Sequence, residues 1–196
     1  VLGDKLNDIL DEYLPKLKDK SVVAVSSKIV AICEGRVDPD PSEIRRDELA
    51  VEEADYFLPR EYNQYGFMIT IKNGIMIASG GIDRSNANGG LVLWPKDPQK
   101  SANQIREYLT KKNKIKNLGV VLTDSKVYPM RLGVTGISIA HSGFNALKNY
   151  IGKPDIFGRL LQAEQSNMSD SLATAAVIVM GEGNEQTPLA LVTHVP

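Results

Sequence analysis

The run YGFMITIKNGIMIASGG, residues 65–81, constrains the fold more than any other stretch of the chain. Two apolar segments flank Asn73-Gly74, the pair that best tolerates positive φ at both central positions of a two-residue turn, so the run predicts a β-hairpin. Its second strand is expected to lead straight into GGIDRSNANGGLVLWP, residues 80–95, with Asp83 at a strand end. A plain turn needs one or two glycines to reach positive φ. A loop that must lie against a charged ligand needs several, because side chains would hold the ligand away. The glycine-rich stretch is therefore a candidate site, with Asp83 as its charge.

The rest of the chain alternates between helical and strand patterns. Leu6, Ile9, Leu10, Tyr13, Leu14 and Leu17 recur at helical spacing after Asp4, a candidate cap, which predicts an amphipathic helix over 4–18. Pro15 would cost about 3 kcal/mol in a helix interior, so a kink or an early stop near Leu14 is expected. SVVAVSSKIVAICEGR, residues 21–36, reads as a strand from Val22 to Val25, then a polar corner at Ser26, Ser27 and Lys28, then a second apolar run. Residues 38–63 are a polar excursion with one short helix at 42–54 and no evident chemistry. Asp97-Pro98 is a cap with proline in the first turn, and Ala102, Ile105, Tyr108 and Leu109 mark a helix of about three turns. Leu118 to Leu122 is a buried strand that ends in a polar cluster, which puts Asp124 at a strand end. GVTGISIAHSG is a further buried strand, and a small-residue helix over roughly 169–180 ends in Glu182, between Gly181 and Gly183.

These patterns predict an α/β (α+β) fold, a mixed β-sheet with helices packed on it, as a single domain over 1–196. The chain starts at Val1 without methionine and enters a helical pattern almost at once, so a short natural N-terminal segment is expected to be missing. Lys plus Arg number 23 against 24 for Asp plus Glu, so no strong field exists to hold nucleic acid or an anionic membrane, and any anion site must be local. Cys33 is the only cysteine, which excludes an intrachain disulfide and a cysteine-rich zinc site and fits a reducing, cytoplasmic setting. No apolar run approaches the roughly 20 residues of a membrane span.

Three acids thus share one context: Asp83 after Gly80-Gly81, Asp124 after a buried strand, and Glu182 between two glycines. Oxygen ligands without nearby Cys or His suit a hard cation, Mg²⁺ or Mn²⁺, which bridges carboxylates to phosphates. The bland alternative is that each acid caps a helix or braces a turn. No Walker-type loop and no GxGxxG motif is present, so any nucleotide fold here is an uncommon one. Cys33 reads as core rather than reactive, since nothing nearby would lower its pKa. Trp94 reads as a buried anchor for its loop, with stacking on a ring-shaped acceptor as the alternative. Arg131 and Arg159 are equally open to clamping an anion or to surface pairing. The basic run Lys111 to Lys116 reads as a solvated helix end. Neither His141 nor His194 is required.

SGGIDRSNANGG, VVLTDSKVYPMRLGVTGISIAHSGFNAL and VMGEGNEQTP, in this order, resemble the coenzyme F-420-0:L-glutamate ligase (γ-glutamyl ligase) family. They are similar in particular to its bacterial branch, labelled folate-metabolism γ-glutamate ligases, and the resemblance runs from about residue 4 to 196. It implies the fold of that family, an intertwined homodimer, and an enzyme joining L-glutamate to a small carboxylate acceptor with GTP and two divalent cations. By the resemblance, Asp83 and Asp124 match ligands of one cation, and Ser125 and Glu182 ligands of the second, with Ser125 where many members have Thr. Asp83, Asp124 and Glu182 would be the catalytic acids. Asn86 matches a nucleotide contact, and Met180, Gly181, Gly183, Asn184, Glu185, Gln186 and Thr187, with Glu182 among them, match the segment that wraps the nucleotide. Ser27 and Lys28 occupy the corner where the family touches phosphate. The usual pattern has Ser-Thr there and a Lys four residues later, where this chain has Ile32.

The implied chemistry fits the residues. A carboxylate becomes reactive toward an amine once transfer of the γ-phosphoryl group turns it into an acyl phosphate, and the protein need supply no covalent nucleophile. A deazaflavin coenzyme F-420 or a folate-like acceptor, and ATP in place of GTP, stay open. A non-catalytic nucleotide-binding or regulatory protein and a metal-dependent phosphohydrolase are the alternative readings.

Overall fold

The computed structural model describes residues 3–195; Val1, Leu2 and Pro196 lie outside the described residues, and so does the expectation attached to Val1. Helix α1 (Leu6–Tyr13) precedes β1 (Ser21–Ser26), α2 (Ser27–Cys33), β2 (Val37–Asp38) and α3 (Glu43–Glu53). Then come β3 (Tyr56–Leu58), β4 (Ile69–Lys72), β5 (Ile75–Ala78), β6 (Leu91–Val92) and α4 (Pro98–Asn113). The chain continues with β7 (Leu118–Val127), β8 (Val134–Ser142), β9 (Leu147–Asn149), β10 (Gln165–Asn167), α5 (Met168–Met180) and β11 (Leu189–Val192).

The central sheet has the order β11-β1-β7-β8. β1 runs parallel to β7, while β11 and β8 add antiparallel edges, so the expected mixed sheet is present. Side chains alternate across it with the period of two that a strand imposes. Val23, Val25, Val120 and Leu122 face Leu10 of α1 and Ile105 and Leu109 of α4. Val22, Ala24 and Val121 face Leu172, Ala173 and Ala176 of α5. The sheet is thus covered on both faces, which explains why its central strands are continuous apolar runs. A second layer combines α3 with the antiparallel sheet β3-β4-β5 and the ribbon β2-β6, around Leu49, Ala50, Met68, Ile82, Leu91 and Leu93. The ribbon β9-β10 stands apart from these sheets.

Local signals set several boundaries. Asn73 and Gly74 have φ of 52° and 73°, as the hairpin requires. Asp97 caps α4 by accepting the Lys100 N–H at 2.9 Å, with Pro98 in the first turn. α1 stops at Leu14, whose ψ of 132° is the extended conformation demanded before Pro15. Its N-cap residue is Lys5 and not Asp4. α4 runs for 16 residues, beyond the expected three turns, because Lys111 and Lys112 favour its last turn and Lys114 closes it in a left-handed conformation.

Two placements correct the sequence reading. Asp83 is not at the end of β5: the strand stops at Ala78 and the loop opens with a tight turn at Ser79–Gly81, with φ of 47°, 66° and 75°. Asp83 then bridges back to Val92 through two backbone hydrogen bonds of 2.9 and 2.8 Å. Asp124 is not at a strand end. β8 pairs with β7 past the polar cluster, Asp124 opposite Ile137 and Ser125 opposite Gly136, after a register shift between Leu122 and Thr123. The shift is the irregularity that re-aims side chains along a strand. Among the described residues no helix is long and apolar enough to cross a membrane.

Candidate active site

The C-terminal end of β1, the first turn of α2, the glycine loop after β5, the middle of β7 and the loop after α5 surround one cavity of about 830 Å³. Ser27, Lys28, Asp83, Asn86, Asp124, Ser125, Met180 and the whole segment 181–187 line it. Every position that the sequence singled out for the site therefore reaches the same space. Arg131 does not, and lines a smaller hollow at the β7–β8 tip. Arg159 is exposed in the loop between β9 and β10.

The two glycine loops touch. Asn86, held at φ 53°, donates its Nδ2 hydrogen to the Gly183 carbonyl at 2.9 Å. The second loop is braced internally, with Thr187 Oγ1 donating to the Met180 carbonyl at 2.7 Å and the Gly183 N–H donating to Glu185 at 2.8 Å. A Cβ at Gly181 would collide with the Glu185 carboxylate, and its φ of 77° favours glycine as well. Ser26 N–H donates to the Pro188 carbonyl at 2.9 Å, which ties the serine corner to the end of this loop.

The acids are arranged in pairs. Ser125 Oγ lies 2.6 and 2.8 Å from the two carboxylate oxygens of Glu182. Asp83 accepts from Ser85 N–H at 2.7 Å and forms an ion pair of 2.6 Å with Lys28. Lys28 also donates to the Ser85 carbonyl and hydroxyl, each at 2.9 Å, so its ammonium sits among three oxygens. Burial pushes the Asp83 carboxyl up, but Lys28 and the Ser85 N–H outweigh it and hold the group below its ordinary range. Asp124 shows the opposite balance. Burial pushes its carboxyl up to about 6, against the Ser125 and Trp94 hydrogen bonds, and the neighbouring Asp83 charge adds to the rise.

The donor set facing the cavity is carboxylate and hydroxyl oxygen, and among the described residues no cysteine or histidine lines it. Such a set suits a hard cation. Among the described residues no three acids or other ligating side chains converge as a ready-made cage. A cation here would complete its shell with water and phosphate oxygen, as Mg²⁺ usually does. Ser27 is buried at the start of α2, and Ile32, in place of a second lysine, leaves an apolar patch on the wall.

Some residues of the wall escaped the sequence reading. Arg46 of α3, in the segment read as having no chemistry, reaches the cavity and donates to the Ile82 carbonyl at 3.2 Å. Arg84 of the glycine loop, off the wall itself, pairs with Glu43 and with the Pro41 carbonyl, which fastens that loop to the start of α3. No local pattern marks these contacts, since partners lie about forty residues apart. Trp94 is the buried anchor expected of it, and it also donates its indole N–H to Asp124. Cys33 is half-buried and its thiol is pushed up by burial, as expected of a packing residue. His141 leans on Phe144 with ring centroids 5.2 Å apart and does not line the cavity.

Comparison with known proteins bears on the same segments. The family model described as F420-0:Gamma-glutamyl ligase matches residues 40–194, a span that holds Asp83, Asp124, Ser125 and Glu182. Proteins named Coenzyme F420:L-glutamate ligase are similar along nearly the whole chain. That of Methanococcus maripaludis strain C7 is 31% identical over 205 residues, covering 97% of this chain and 82% of that protein. That of Archaeoglobus fulgidus is 32% identical over 208 residues, covering 97% and 81%, and that of Methanopyrus kandleri 31% over 207 residues, covering 96% and 80%. With both glycine loops and the four oxygen-bearing side chains inside a matched span that takes in most of the chain, the chain belongs to the F420-0:gamma-glutamyl ligase family.

Proposed function

We propose that this protein is a GTP- and divalent-metal-dependent γ-glutamyl ligase that forms an amide bond between L-glutamate and a carboxylate of a coenzyme F-420-type acceptor. The observation that carries the reading is the convergence of Asp83, Asp124, Ser125 and Glu182 on one cavity, between two glycine loops that meet through Asn86. A cavity of about 830 Å³ lies within the usual range for small-molecule sites.

In this reading Asp83 and Asp124 hold one Mg²⁺ or Mn²⁺, and Ser125 and Glu182 the other. Bound there, the cations supply neutralising charge for the crowded phosphates and the acceptor carboxylate. Segment 180–187 and Asn86 wrap the nucleotide, and backbone N–H groups freed by glycine meet phosphate without a side chain in between. Ser27 and Lys28 meet the phosphates from the other side, where Lys28 can exchange its Asp83 and Ser85 oxygens for those of a phosphate. The acceptor carboxylate attacks the γ-phosphorus and GDP leaves, giving an acyl phosphate. The glutamate amine then attacks the acyl carbon, phosphate departs with the bonding electrons, and the amine proton passes to solvent. The protein's part is to bind, align and exclude water.

The names of the relatives favour the deazaflavin acceptor over a folate-like one. The homodimer expected by resemblance is supported by large apolar side chains left open to solvent: Met130 and Leu132 at the β7–β8 tip, Ile156 and Phe157 between β9 and β10, and Ile178 and Val179 on α5. Sedimentation of the purified chain as twice its mass checks the dimer.

The decisive experiment is GTP turnover with Mn²⁺, L-glutamate and either a deazaflavin or a folate acceptor. Phosphate release that needs both glutamate and the deazaflavin supports the reading. Release without glutamate marks a phosphohydrolase. Nucleotide binding without release under any combination marks a binding protein on the ligase fold.

A further inference from the structure

We propose that Trp94 is a positioning residue whose indole N–H fixes the direction in which the Asp124 carboxylate meets its ligand. The inference rests on the metal-dependent reading of the cavity above.

A buried indole N–H needs an acceptor, and here that acceptor is a carboxylate of the cavity wall. Trp94 is 1% exposed and donates to Asp124 Oδ2, while the Ser125 N–H donates to Oδ1 at 2.8 Å. Each oxygen is held by one fixed donor and keeps further lone-pair capacity for a ligand. Rotation of the carboxylate would break one of the two bonds. Outer donors of this kind set how a ligating carboxylate is presented.

The indole is itself over-determined. A Cβ at Gly81 would collide with its Nε1, Cε2 and Cδ1 atoms, so the glycine loop opens a slot shaped to the ring. The buried Lys72 ammonium lies 5.1 Å from the ring centroid. Glu53 accepts from Lys72 at 2.6 Å and from Arg36 at 2.5 Å, and Arg36 Nε donates to the Trp94 carbonyl at 3.1 Å. Two cations and one carboxylate, from β4, the residue before β2, and the end of α3, thus brace both the face and the backbone of this residue. The group has net positive charge and lies close enough to Asp124 for its field to reach Lys72. Packing alone would be satisfied by any large apolar ring. Only a ring with an N–H uses this bracing to aim Asp124.

Trp94 is the only tryptophan, so ¹⁵N-labelled protein gives one indole resonance. In metal-free protein, Asp124→Asn is expected to move that resonance upfield, while Asp83→Asn leaves it in place. In Trp94→Phe, Mn²⁺ affinity read by electron paramagnetic resonance is expected to fall about tenfold or more, the usual cost of losing an outer hydrogen-bond partner. An indole resonance unmoved by Asp124→Asn overturns the proposal, even if Trp94→Phe fails to fold. So does a folded Trp94→Phe protein that binds Mn²⁺ as tightly as its parent. A parent that binds no Mn²⁺ overturns the metal reading of the cavity, and with it this proposal, even where the metal-free spectrum shows the indole bond.

Discussion

Asp83 and Asp124 face one cavity from different elements and are stabilised by different means. Asp83 lies on a loop, half-exposed, with the Lys28 ammonium 2.6 Å away. Asp124 lies inside β7, partly buried on the cavity wall, with its carboxylate bonded to two neutral N–H groups. A direct counter-charge outweighs the desolvation of the first, while neutral donors do not outweigh the burial of the second. The comparison teaches that the cavity holds one satisfied acid and one that is short of positive charge.

The comparison can be broken from the Asp124 side with the largest effect. Gly81→Ala puts a methyl into the indole slot and an L-residue at φ 75°, and is expected to destabilise the chain by about 3 kcal/mol or more in urea unfolding. An unfolding midpoint like the parent's would show that the slot yields easily.

Asp124→Asn gives an effect of similar size that depends on pH. With its carboxyl raised from 3.8 to about 6, the folded chain without metal keeps a proton that the unfolded chain has lost. The stability due to this group is complete below about pH 4 and is lost as pH rises through about 6. By pH 8 the loss amounts to about 3 kcal/mol. In chelator, the parent is expected to lose that much stability relative to Asp124→Asn between pH 4 and pH 8, and parallel profiles would refute the assignment.

From the other side, Lys28→Ala removes the counter-charge of Asp83. Both side chains of the pair keep contact with solvent, so stability should fall by about 1 kcal/mol or less. Nucleotide affinity should fall further than stability does, and equal affinity in parent and variant would remove Lys28 from the phosphate site. Asn86→Ala breaks a side-chain hydrogen bond that joins the two glycine loops, an exposed contact worth about 1 kcal/mol or less. Faster backbone exchange in segment 181–187 would show the loops uncoupled, with little change in the unfolding midpoint.

The parts of this site that were legible in the sequence are local ones. Asn73-Gly74, the Asp97-Pro98 cap and the glycines around Asp83 and Glu182 fix their own backbone, so their meaning does not depend on distant partners. Asp124 was identified as a site residue but misplaced, because whether β7 stops or continues is decided by pairing with β8, which the polar cluster itself does not signal. Arg46 and the Lys72, Glu53 and Arg36 group were not legible at all. Each looks like an ordinary charge, Lys72 at the end of an apolar strand and the others on polar segments, and only the packing of α3 against the hairpin and the ribbon brings them to Trp94 and the cavity wall. The ribbon β9-β10 is not legible for a different reason: its strands are short, exposed and lack an apolar alternation.

The central claim is that the cavity holds a nucleotide through cations bound to these acids. Calorimetric titration of the parent with GTP and with ATP, each with and without Mn²⁺, tests it most directly, with Glu182→Gln and Asp83→Asn measured alongside. GTP binding is expected to appear only with Mn²⁺ and to disappear in both folded variants. Binding of equal strength without metal, or unchanged in both variants, would contradict it.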